Sequence, residues 1–504
     1  MVTDKRKNLV FGIAVFVFTA VWFSFFAVAR LDMHHDAVML KPAIDVASGK
    51  VIFRDTFCQY GALAVWLQAL AVKIFGGELV VIRLLTVLFY AGIAVLTDRI
   101  FRRFLSFPFR LVNLALFWGM APFYIVPFHP WSSVYALFFM LLSTEFLLCA
   151  PEKDDRLFPA LAGAAAACAF LARHPCGVVC FGAGALTLVL ASCYLKRRWL
   201  GLGSFALGCA AVLAPFALYL SLVGAWSDYC RQCFGFVAGF AYGRGGGGKW
   251  GEMSSRFFPV YDGLFPFDIF YSILPLVCIA AGLKSFSRMT RGDAAEKSAM
   301  VGRLTVILAA LASWHQYYPV PCVRHLYWAA IPMFGVFALV CERLWRRRDR
   351  RYRAAAIALF IMAALPVGVR LWFGAVPFFG GSRRSIDLPG VRRLRLSGAE
   401  YEVLARLKDA HEKLPPEIKA RGVFNHTPDA VLSVVLPETE FKHPMFVNWK
   451  DDVYPDYPGL AMTYILSERP AVVSSDEELR LPGYAVTYCG ELYGRKYWFH
   501  SPLY

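Results

Sequence analysis

Residues 30–61 read RLDMHHDAVMLKPAIDVASGKVIFRDTFCQYG, and this stretch decides how the rest of the chain is interpreted. It is the longest polar interruption in the first 220 residues, and hydrophobic runs flank it on both sides. Its ionisable side chains include Asp32, His34, His35, Asp36, Asp45, Arg54 and Asp55. Such a cluster between apolar segments indicates a polar loop that joins membrane-crossing helices. Ionisable groups close to the membrane are energetically costly, so their presence indicates a function.

The composition supports a membrane protein. The chain has 504 residues, of which 58% are hydrophobic and only 18% are charged. Soluble domains carry roughly 25% charged residues, whereas apolar stretches of about 20 residues, the length that spans a bilayer, recur along most of this chain. The net charge is +17. Its basic residues stand in short clusters between hydrophobic segments, which is the pattern of cytoplasmic loops and not of a nucleic-acid-binding protein.

Hydropathy predicts 11 membrane spans, and the basic clusters orient them. The first span is predicted to be an uncleaved signal anchor, because residues 5–7 are basic and the apolar segment is too long for a cleavable signal. Every cluster of Lys and Arg then falls on one side, which places the N-terminus in the cytoplasm and the first loop outside. The spans are 9–29, 79–100, 107–126, 132–149, 157–171, 178–195, 200–223, 266–283, 304–314, 326–344 and 354–373.

The segment Ala62–Phe75 is apolar but only about 14 residues long, too short to cross a core of about 30 Å. It is predicted to lie at the outer interface, so that the first extracytoplasmic loop covers residues 30–78.

The chain divides into a transmembrane domain, residues 1–373, and a soluble extracytoplasmic α/β domain, residues 374–504. In the second domain, residues 400–413 have a helical pattern. The runs GVFNHT, AVLSVVLP, KHPMFVNW and GYAVTYCGELYGRKYWFH are rich in β-forming residues.

Asp36 is the candidate catalytic base. It stands at the start of a helix predicted over residues 36–48, where a carboxylate can accept a proton from an attacking hydroxyl. The alternative is that Asp32 or Asp36 caps that helix. His34, His35 and Asp36 can also bind a divalent metal, although adjacent histidines point apart on a helix.

Cationic and imidazole side chains recur at or beside the predicted outer turns, where the distribution of Lys and Arg in membrane proteins does not favour Arg. An anionic ligand with its phosphate at headgroup level explains their presence, since Arg binds phosphate through two parallel hydrogen bonds. The alternative is that they bind lipid headgroups or pair with carboxylates. The set comprises Arg54, Arg83, His129, Arg173, His174, His315, Arg324 and His325.

The long polar loop of residues 224–265 carries two further motifs. Cys230 and Cys233 form a CxxC pair, for which a disulfide is possible if the loop is extracytoplasmic. Residues 243–249 match a phosphate-binding loop by letters, but Trp250 follows and no strand precedes them, so that function is rejected. A flexible lid is the more plausible structure. The aromatic residues around it form either a sugar- or lipid-stacking surface or an interfacial aromatic belt.

The first 200 residues resemble the GT-C glycosyltransferase superfamily, polytopic enzymes that use polyprenyl-phosphate sugars. They are most similar to the branch of protein O-mannosyltransferases and lipid A aminoarabinose transferases. The similarity lies in the first loop from Asp36 to Lys50, in FRDTFCQYG, in the interfacial helix ending in FGG, and in Arg83. The family usually has Asp-Glu where this chain has Asp36 and Ala37, and a basic residue where it has Gln59.

The resemblance implies an inverting transfer from a polyprenyl-phosphate sugar to a glycan, lipid or protein acceptor at the outer face of the plasma (inner) membrane. Asp36 would deprotonate the acceptor hydroxyl, and the Arg and His side chains would stabilise the departing phosphate. The substrate-binding set then also includes His35, Gln59 and Tyr60. No cofactor is implied with certainty, and a divalent metal is possible.

Two alternatives remain open. One is a transporter or flippase of lipid-linked sugars, which requires paired polar residues through the membrane midplane. The span interiors are almost uncharged, with Glu145 the exception, and this disfavours a transporter. The other is a structural or assembly protein whose soluble tail binds a partner.

Overall fold

A computed structural model describes residues 2–124, 128–153, 156–195, 200–235, 269–317, 323–380, 383–447, 453–476 and 479–503. The helices are α1 Val2–Ala27, α2 His35–Ala47, α3 Ala62–Phe75, α4 Leu79–Phe101, α5 Phe107–Tyr124, α6 Ser132–Lys153, α7 Leu157–Ala172, α8 His174–Tyr194, α9 Leu200–Leu222, α10 Trp226–Cys230, α11 Ile269–Arg291, α12 Ala294–Ser313, α13 Val323–Trp345, α14 Arg350–Gly380, α15 Gly398–Glu412, α16 Pro416–Ala420, α17 Leu432–Val435 and α18 Tyr457–Glu468. The strands are β1 Val423–His426, β2 Ala471–Ser475, β3 Tyr484–Leu492 and β4 Arg495–Pro502.

Each predicted span corresponds to a helix, and the polytopic helical fold is confirmed. Within the described ranges, eight helices are long and apolar enough to cross a membrane by length and composition. The helices α5 and α7 stand at their predicted positions but are shorter. The interfacial segment is the separate helix α3, with the predicted bounds.

Several helices extend beyond the predicted spans because hydropathy does not detect charged helix ends. Residues 284–303 lie between two of the predicted spans, yet they are almost entirely helical: only Gly292 and Asp293 separate α11 from α12. The Asp293 carboxylate caps α12 by accepting a hydrogen bond from the backbone N–H of Glu296 at 2.9 Å. Similarly, α8 begins at His174 and α14 continues to Gly380.

Helix α3 packs against the first loop and supports a neighbouring turn. Its Gln68 side chain is fully buried. The amide of Gln68 donates hydrogen bonds to the carbonyl of Pro130 at 2.8 Å and to the hydroxyl of Tyr135 at 3.1 Å. The polar residue that interrupts this apolar helix therefore holds the turn between α5 and α6 in place.

The C-terminal part contains a four-stranded sheet in the order β1-β2-β4-β3. Strands β1 and β2 are parallel, and the remaining pairs are antiparallel. The predicted strands in GVFNHT and in the last β-rich run are confirmed. The run AVLSVVLP was expected to be β-rich and instead contains helix α17, Leu432–Val435. The described residues 442–447 of KHPMFVNW contain no strand either.

Backbone hydrogen bonds join the C-terminal part to the first loop. The N–H of Arg395 donates to the carbonyl of Val28 at 2.8 Å, and the N–H of Arg30 donates to the carbonyl of Arg395 at 3.0 Å. The N–H of Val431 donates to the carbonyl of Met33 at 3.0 Å. These bonds place the loop of residues 427–431 directly over the start of α2.

Candidate active site

Asp32 and two histidines form the centre of the site. The Asp32 carboxylate accepts hydrogen bonds from the backbone N–H groups of His34 and His35, at 3.0 and 2.9 Å, which fixes its position at the start of α2. Its Oδ2 atom lies 3.1 Å from Nδ1 of His35 and 3.1 Å from Nε2 of His129. The side chains of His35 and Asp32 are 37% and 20% exposed, whereas His129 is buried. Two distant parts of the chain thus form one accessible acid–imidazole cluster.

The pKa of the Asp32 carboxyl is held well below its usual range. Burial by itself would raise this pKa, but the hydrogen bonds and charges of His129 and His35 outweigh that effect. Asp32 is therefore an anion at physiological pH. An anionic carboxylate next to a ring N–H fixes the tautomer of the imidazole and stabilises the imidazolium form.

Asp36, the predicted base, is fully buried. Its Oδ2 atom accepts hydrogen bonds from Nη2 of Arg83 at 2.7 Å and from the backbone N–H of Asp32 at 2.8 Å. Arg83 is also fully buried, and its Nη1 atom donates to the carbonyls of Ala27, Ala29 and Arg30. The pair joins the end of α1, the start of α2 and the first turn of α4 beneath the site.

An aromatic and cationic wall, formed by Trp131, Tyr60 and Arg173, lies beside the cluster of Asp32, His35 and His129. The Trp131 ring lies 5.5 Å from the His35 ring and 5.1 Å from the Tyr60 ring. The Arg173 guanidinium lies 5.6 Å from the centre of the Tyr60 ring and donates a hydrogen bond to the Ser133 hydroxyl. Three segments, the first loop, the α5–α6 turn and the α7–α8 turn, therefore meet at one end of the helix bundle.

Two buried polar atoms in this wall lack a hydrogen-bond partner within the described part of the chain. They are the indole Nε1 of Trp131 and the Oε1 of Gln59. The amide nitrogen of Gln59 is already used, because it donates to the Tyr60 hydroxyl at 2.7 Å. Buried polar groups are nearly always satisfied, so a free donor and a free acceptor on residues that contact Tyr60 indicate space for a polar ligand.

The close approach of α7 to the first loop depends on Gly61. A Cβ atom at this position would lie 2.0 Å from the carbonyl oxygen of Leu171. Only glycine permits this contact. It brings Tyr60 next to Arg173, which follows the end of α7.

The structure brings together some of the predicted substrate-binding residues and separates others. The Asp32 cluster and the wall beside it contain five of them: His35, Gln59, Tyr60, His129 and Arg173. His315 lies close enough to Arg173 to be affected by its charge.

Of the remaining residues of the set, Arg83 is buried against Asp36 beneath the site, and the others are placed as follows. Arg54 is exposed and pairs with Asp55; the His174 ring is hydrogen-bonded to the Tyr229 hydroxyl; and His325 packs on Trp328. Helix α13 includes Arg324, but the described structure does not extend to its side chain.

The candidate metal ligands also differ from the expected ones. Among the residues that the structure describes, Asp32, His35 and His129 offer ligand atoms that all lie within 4.8 Å of one another. One carboxylate and two imidazoles fit a divalent transition metal ion with open positions for other ligands. The predicted set of His34, His35 and Asp36 does not form, because His34 turns to the carbonyl of Pro428 and Asp36 binds Arg83.

Trp131, Ser133 and the central position of Asp32 were not predicted from the sequence. Trp131 and Ser133 are two and four residues after His129, so that their proximity to a candidate residue was the available signal. The possible disulfide between Cys230 and Cys233 is not formed: both cysteines are free, with Cys230 exposed and Cys233 buried. The glycine-rich segment of residues 243–249, and the lid expected there, lie outside the described residues.

A polar cleft of about 690 Å³ lies between the first loop and the C-terminal part. Residues of α2 and of the following turn form one side, and the loop of residues 438–446 forms the other. The buried Lys41 joins the two sides, because its Nζ lies 2.7 Å from Oδ1 of Asp45 and 2.9 Å from Oε2 of Glu438. Phe441 and Tyr457 add aromatic surface.

The architecture and the site define a class of protein. The chain is a multi-pass helical membrane protein in which the first loop and a C-terminal α/β part enclose a polar site at one end of the bundle.

Solved structures of GT-C proteins share this fold. ArnT from Cupriavidus metallidurans in the apo state has 13% sequence identity and a TM-score of 0.55, with 98% of both chains covered. The same protein bound to undecaprenyl phosphate has 15% identity and a TM-score of 0.54, with 97% of both chains covered.

A more distant structure has the same core fold. The archaeal oligosaccharyltransferase AglB from Archaeoglobus fulgidus, in complex with an inhibitory peptide and a dolichol-phosphate, has 12% identity and a TM-score of 0.51. The match covers 92% of this chain and 69% of AglB. The predicted GT-C-like fold is thereby confirmed. No family model matches the sequence, and no curated protein matches it.

Proposed function

We propose that this protein is an inverting glycosyltransferase that moves a sugar from a polyprenyl-phosphate donor to a hydroxyl acceptor at the outer face of the membrane. The observation that carries the proposal is the accessible cluster of Asp32, His35 and His129 beside the Tyr60–Arg173 wall. Two of the solved structures with the same fold hold undecaprenyl phosphate or dolichol-phosphate.

The base in this proposal is His35, oriented by Asp32. If Nδ1 of His35 donates to Asp32, its Nε2 is left to accept the proton of the acceptor hydroxyl as the hydroxyl attacks the anomeric carbon. The depressed pKa of Asp32 keeps this carboxylate ionised, so that it stabilises the imidazolium that forms. Asp36 is a positioning residue, because its carboxylate holds the backbone N–H of Asp32 and is itself neutralised by Arg83.

The donor phosphate is proposed to bind at the wall. Arg173 supplies a cation, and the indole N–H of Trp131 supplies a buried donor without another partner in the described chain. Fixed donors aimed at the departing phosphate stabilise its charge without reorganisation during the reaction.

The acceptor is proposed to enter through the cleft between the first loop and the C-terminal part. Its volume of about 690 Å³ is in the range of small-molecule sites. Its lining mixes aromatic rings, carboxylates and amines, which suits a hydroxyl-rich glycan. The cleft residue Lys41 is six positions after His35 on α2, about 9 Å along the helix axis.

The charges within the spans give no support to a transporter. Glu145 is bound by Arg99 and Arg103, with Nε of Arg99 at 2.6 Å, and Asp98 is bound by Arg110 through two bonds of 2.8 and 2.7 Å. Both clusters lie at the basic ends of the helices, not at their centres.

The test is a transfer assay with the full-length protein in nanodiscs and a panel of labelled polyprenyl-phosphate sugars. Release of polyprenyl phosphate is measured for the wild type and for Asp32→Asn and His35→Ala. Both variants are expected to bind donor normally and to lose about 100-fold or more of the release rate, the usual contribution of a general base.

The matched control is Asp409→Asn, which makes the same chemical change in an exposed helical ion pair. It is expected to release polyprenyl phosphate at the wild-type rate. Wild-type turnover in His35→Ala would eliminate His35 as the base. Tight donor binding without release, for every sugar and acceptor tried with the wild type, would instead identify a carrier.

A further inference from the structure

Three arginines meet at the end of the bundle opposite the candidate active site. Arg288 lies near the end of α11, Arg303 in the first half of α12, and Arg343 near the end of α13. These three helices pack against one another. Arg343 is close enough to Arg303 and Arg288 to be repelled by both, and Arg303 is repelled by Arg288.

None of the three arginines forms an ion pair with any residue that the structure describes. The Nε of Arg303 and the Nη2 of Arg343 are buried without a hydrogen-bond partner in those ranges. Among the described residues, the hydrogen-bond acceptor that Arg303 reaches is the sulfur of Met300, 3.8 Å from its Nη1. Glu296 attracts Arg303 only at longer range.

Three other arginines at the same end of the bundle are compensated. Arg99 and Arg103 both bind Glu145, and Arg346 binds Glu342. The three-arginine cluster is therefore not a general property of the basic helix ends. Unpaired, partly desolvated like charges are unfavourable, so the cluster requires an anion that the described residues do not supply.

The surroundings indicate a lipid. Leu283 and Phe286 of α11 and Trp345 of α13 are large apolar side chains that are 68%, 44% and 44% exposed near the cluster in sequence. Exposed apolar side chains on spanning helices face acyl chains, and basic pockets between helices at the cytoplasmic side bind anionic headgroups. The guanidinium group is also the side chain best matched to phosphate.

We infer that Arg288, Arg303 and Arg343 bind the phosphate of an anionic phospholipid in the leaflet opposite the donor site. Arg303 is 12 residues from His315, about 18 Å along the helix, so that the two sites are separate. The inference does not depend on the proposed transferase activity. The lipid would join the ends of α11, α12 and α13 and cancel their mutual repulsion.

The test uses the full-length protein in neutral detergent, titrated with phosphatidylglycerol, with phosphatidylcholine or with inorganic phosphate. Native mass spectrometry counts bound lipid, and a thermal scan gives the unfolding midpoint. The wild type is expected to retain phosphatidylglycerol and gain stability from it. The double variant Arg303→Gln/Arg343→Gln is expected to bind this lipid about tenfold more weakly or worse, because two charge-assisted contacts are lost.

The same double variant is expected to have a higher midpoint than the wild type before lipid is added, because two repelling charges are gone. A purely structural role for these arginines would lower the midpoint. The matched control is Arg348→Gln/Arg351→Gln, which removes the same net charge from exposed positions of the adjacent basic run. This control is expected to bind phosphatidylglycerol as the wild type does.

If the double variant does not fold, the exposed Arg288 provides the test, and Arg288→Gln is expected to weaken lipid binding by about threefold. The inference would be overturned if the double variant bound phosphatidylglycerol with an affinity within about twofold of the wild type. If only Arg288→Gln folds, the same criterion applies to that variant. Equal stabilisation by phosphatidylglycerol and phosphatidylcholine would also overturn the inference, as would stabilisation by millimolar inorganic phosphate with none from the lipid.

Discussion

A substitution in the buried pair of Asp36 and Arg83 tests whether Asp36 positions the site or takes part in the reaction. In the variant Asp36→Asn, the carboxylate charge is lost and the guanidinium of Arg83 remains fully buried. The backbone N–H of Asp32, which donates to Asp36 at 2.8 Å, loses a charged acceptor at the same time. We expect the main effect to be a loss of stability at the junction of α1, α2 and α4.

The magnitude follows from the environment of the pair. Removing one partner of a buried ion pair costs about 3–5 kcal/mol, because the remaining charge is uncompensated in a low-dielectric interior. The three carbonyls of Ala27, Ala29 and Arg30 still accept from Nη1 of Arg83 and reduce this cost. Replacing Arg83 by Met as well would leave those carbonyls without their donor, so the double variant is expected to recover only part of the stability.

The assay measures reversible unfolding in mixed micelles and donor release by the folded fraction. Asp36→Asn is expected to lose about 3 kcal/mol or more of unfolding free energy. Asp32→Asn is expected to keep most of its stability and lose turnover. Asp409→Asn, the exposed control, is expected to change neither quantity.

The reasoning is refuted if Asp36→Asn is as stable as the wild type and yet inactive. That result would mean that Asp36 is the catalytic base predicted from its position in the sequence, and that the buried ion pair contributes nothing to folding. Normal turnover by a folded Asp32→Asn variant would refute the proposal that Asp32 orients His35 and stabilises its imidazolium form.

Three further predictions concern other parts of the molecule. Gly61→Ala is expected to cost about 1–3 kcal/mol in unfolding free energy, because its Cβ would meet the Leu171 carbonyl oxygen at 2.0 Å; Gly12→Ala, with no atom within 4 Å, is the control and should change little. Burial, with the nearby charge of His426, lowers the pKa of His500 from 6.5 to about 4. The unfolded chain therefore binds a proton between these pH values that the folded chain does not, and stability falls as the pH decreases through this window. His500→Gln should flatten this dependence in limited proteolysis of the full chain, and an unchanged slope would contradict it. A titration with Mn²⁺ or Zn²⁺ is expected to raise the unfolding midpoint of the wild type but not of a His129→Gln variant; equal shifts in both would remove the three-residue metal site.

Much of the helical architecture was predictable because a membrane span is determined by its own consecutive residues. A run of apolar residues must become a helix in a bilayer, since no water is present to satisfy its backbone. The predicted bounds of α3 were correct because its length and its flanking glycines are local features. The helix ends were predicted less well, as at residues 284–303, because charged turns beyond the membrane have no hydropathy signal.

The C-terminal part was less predictable from pattern alone. The run containing Leu432–Val435 has strong β propensity, yet it forms a short helix. β-propensity is a weak preference that depends on available strand partners. Here the preceding residue Val431 instead hydrogen-bonds to Met33 of the first loop, so that a tertiary contact overrides the local preference.

The sequence by itself determined that this is a multi-pass membrane protein with a polar first loop, and which residue types that loop offers for chemistry. Only the tertiary structure decided which of them act together. Asp32 and Asp36 are four residues apart and look alike in the sequence, but one faces His35 and His129 while the other is sealed against Arg83. Burial and the choice of partner set the chemistry of a carboxylate, and both depend on residues about 50 to 100 positions away along the chain.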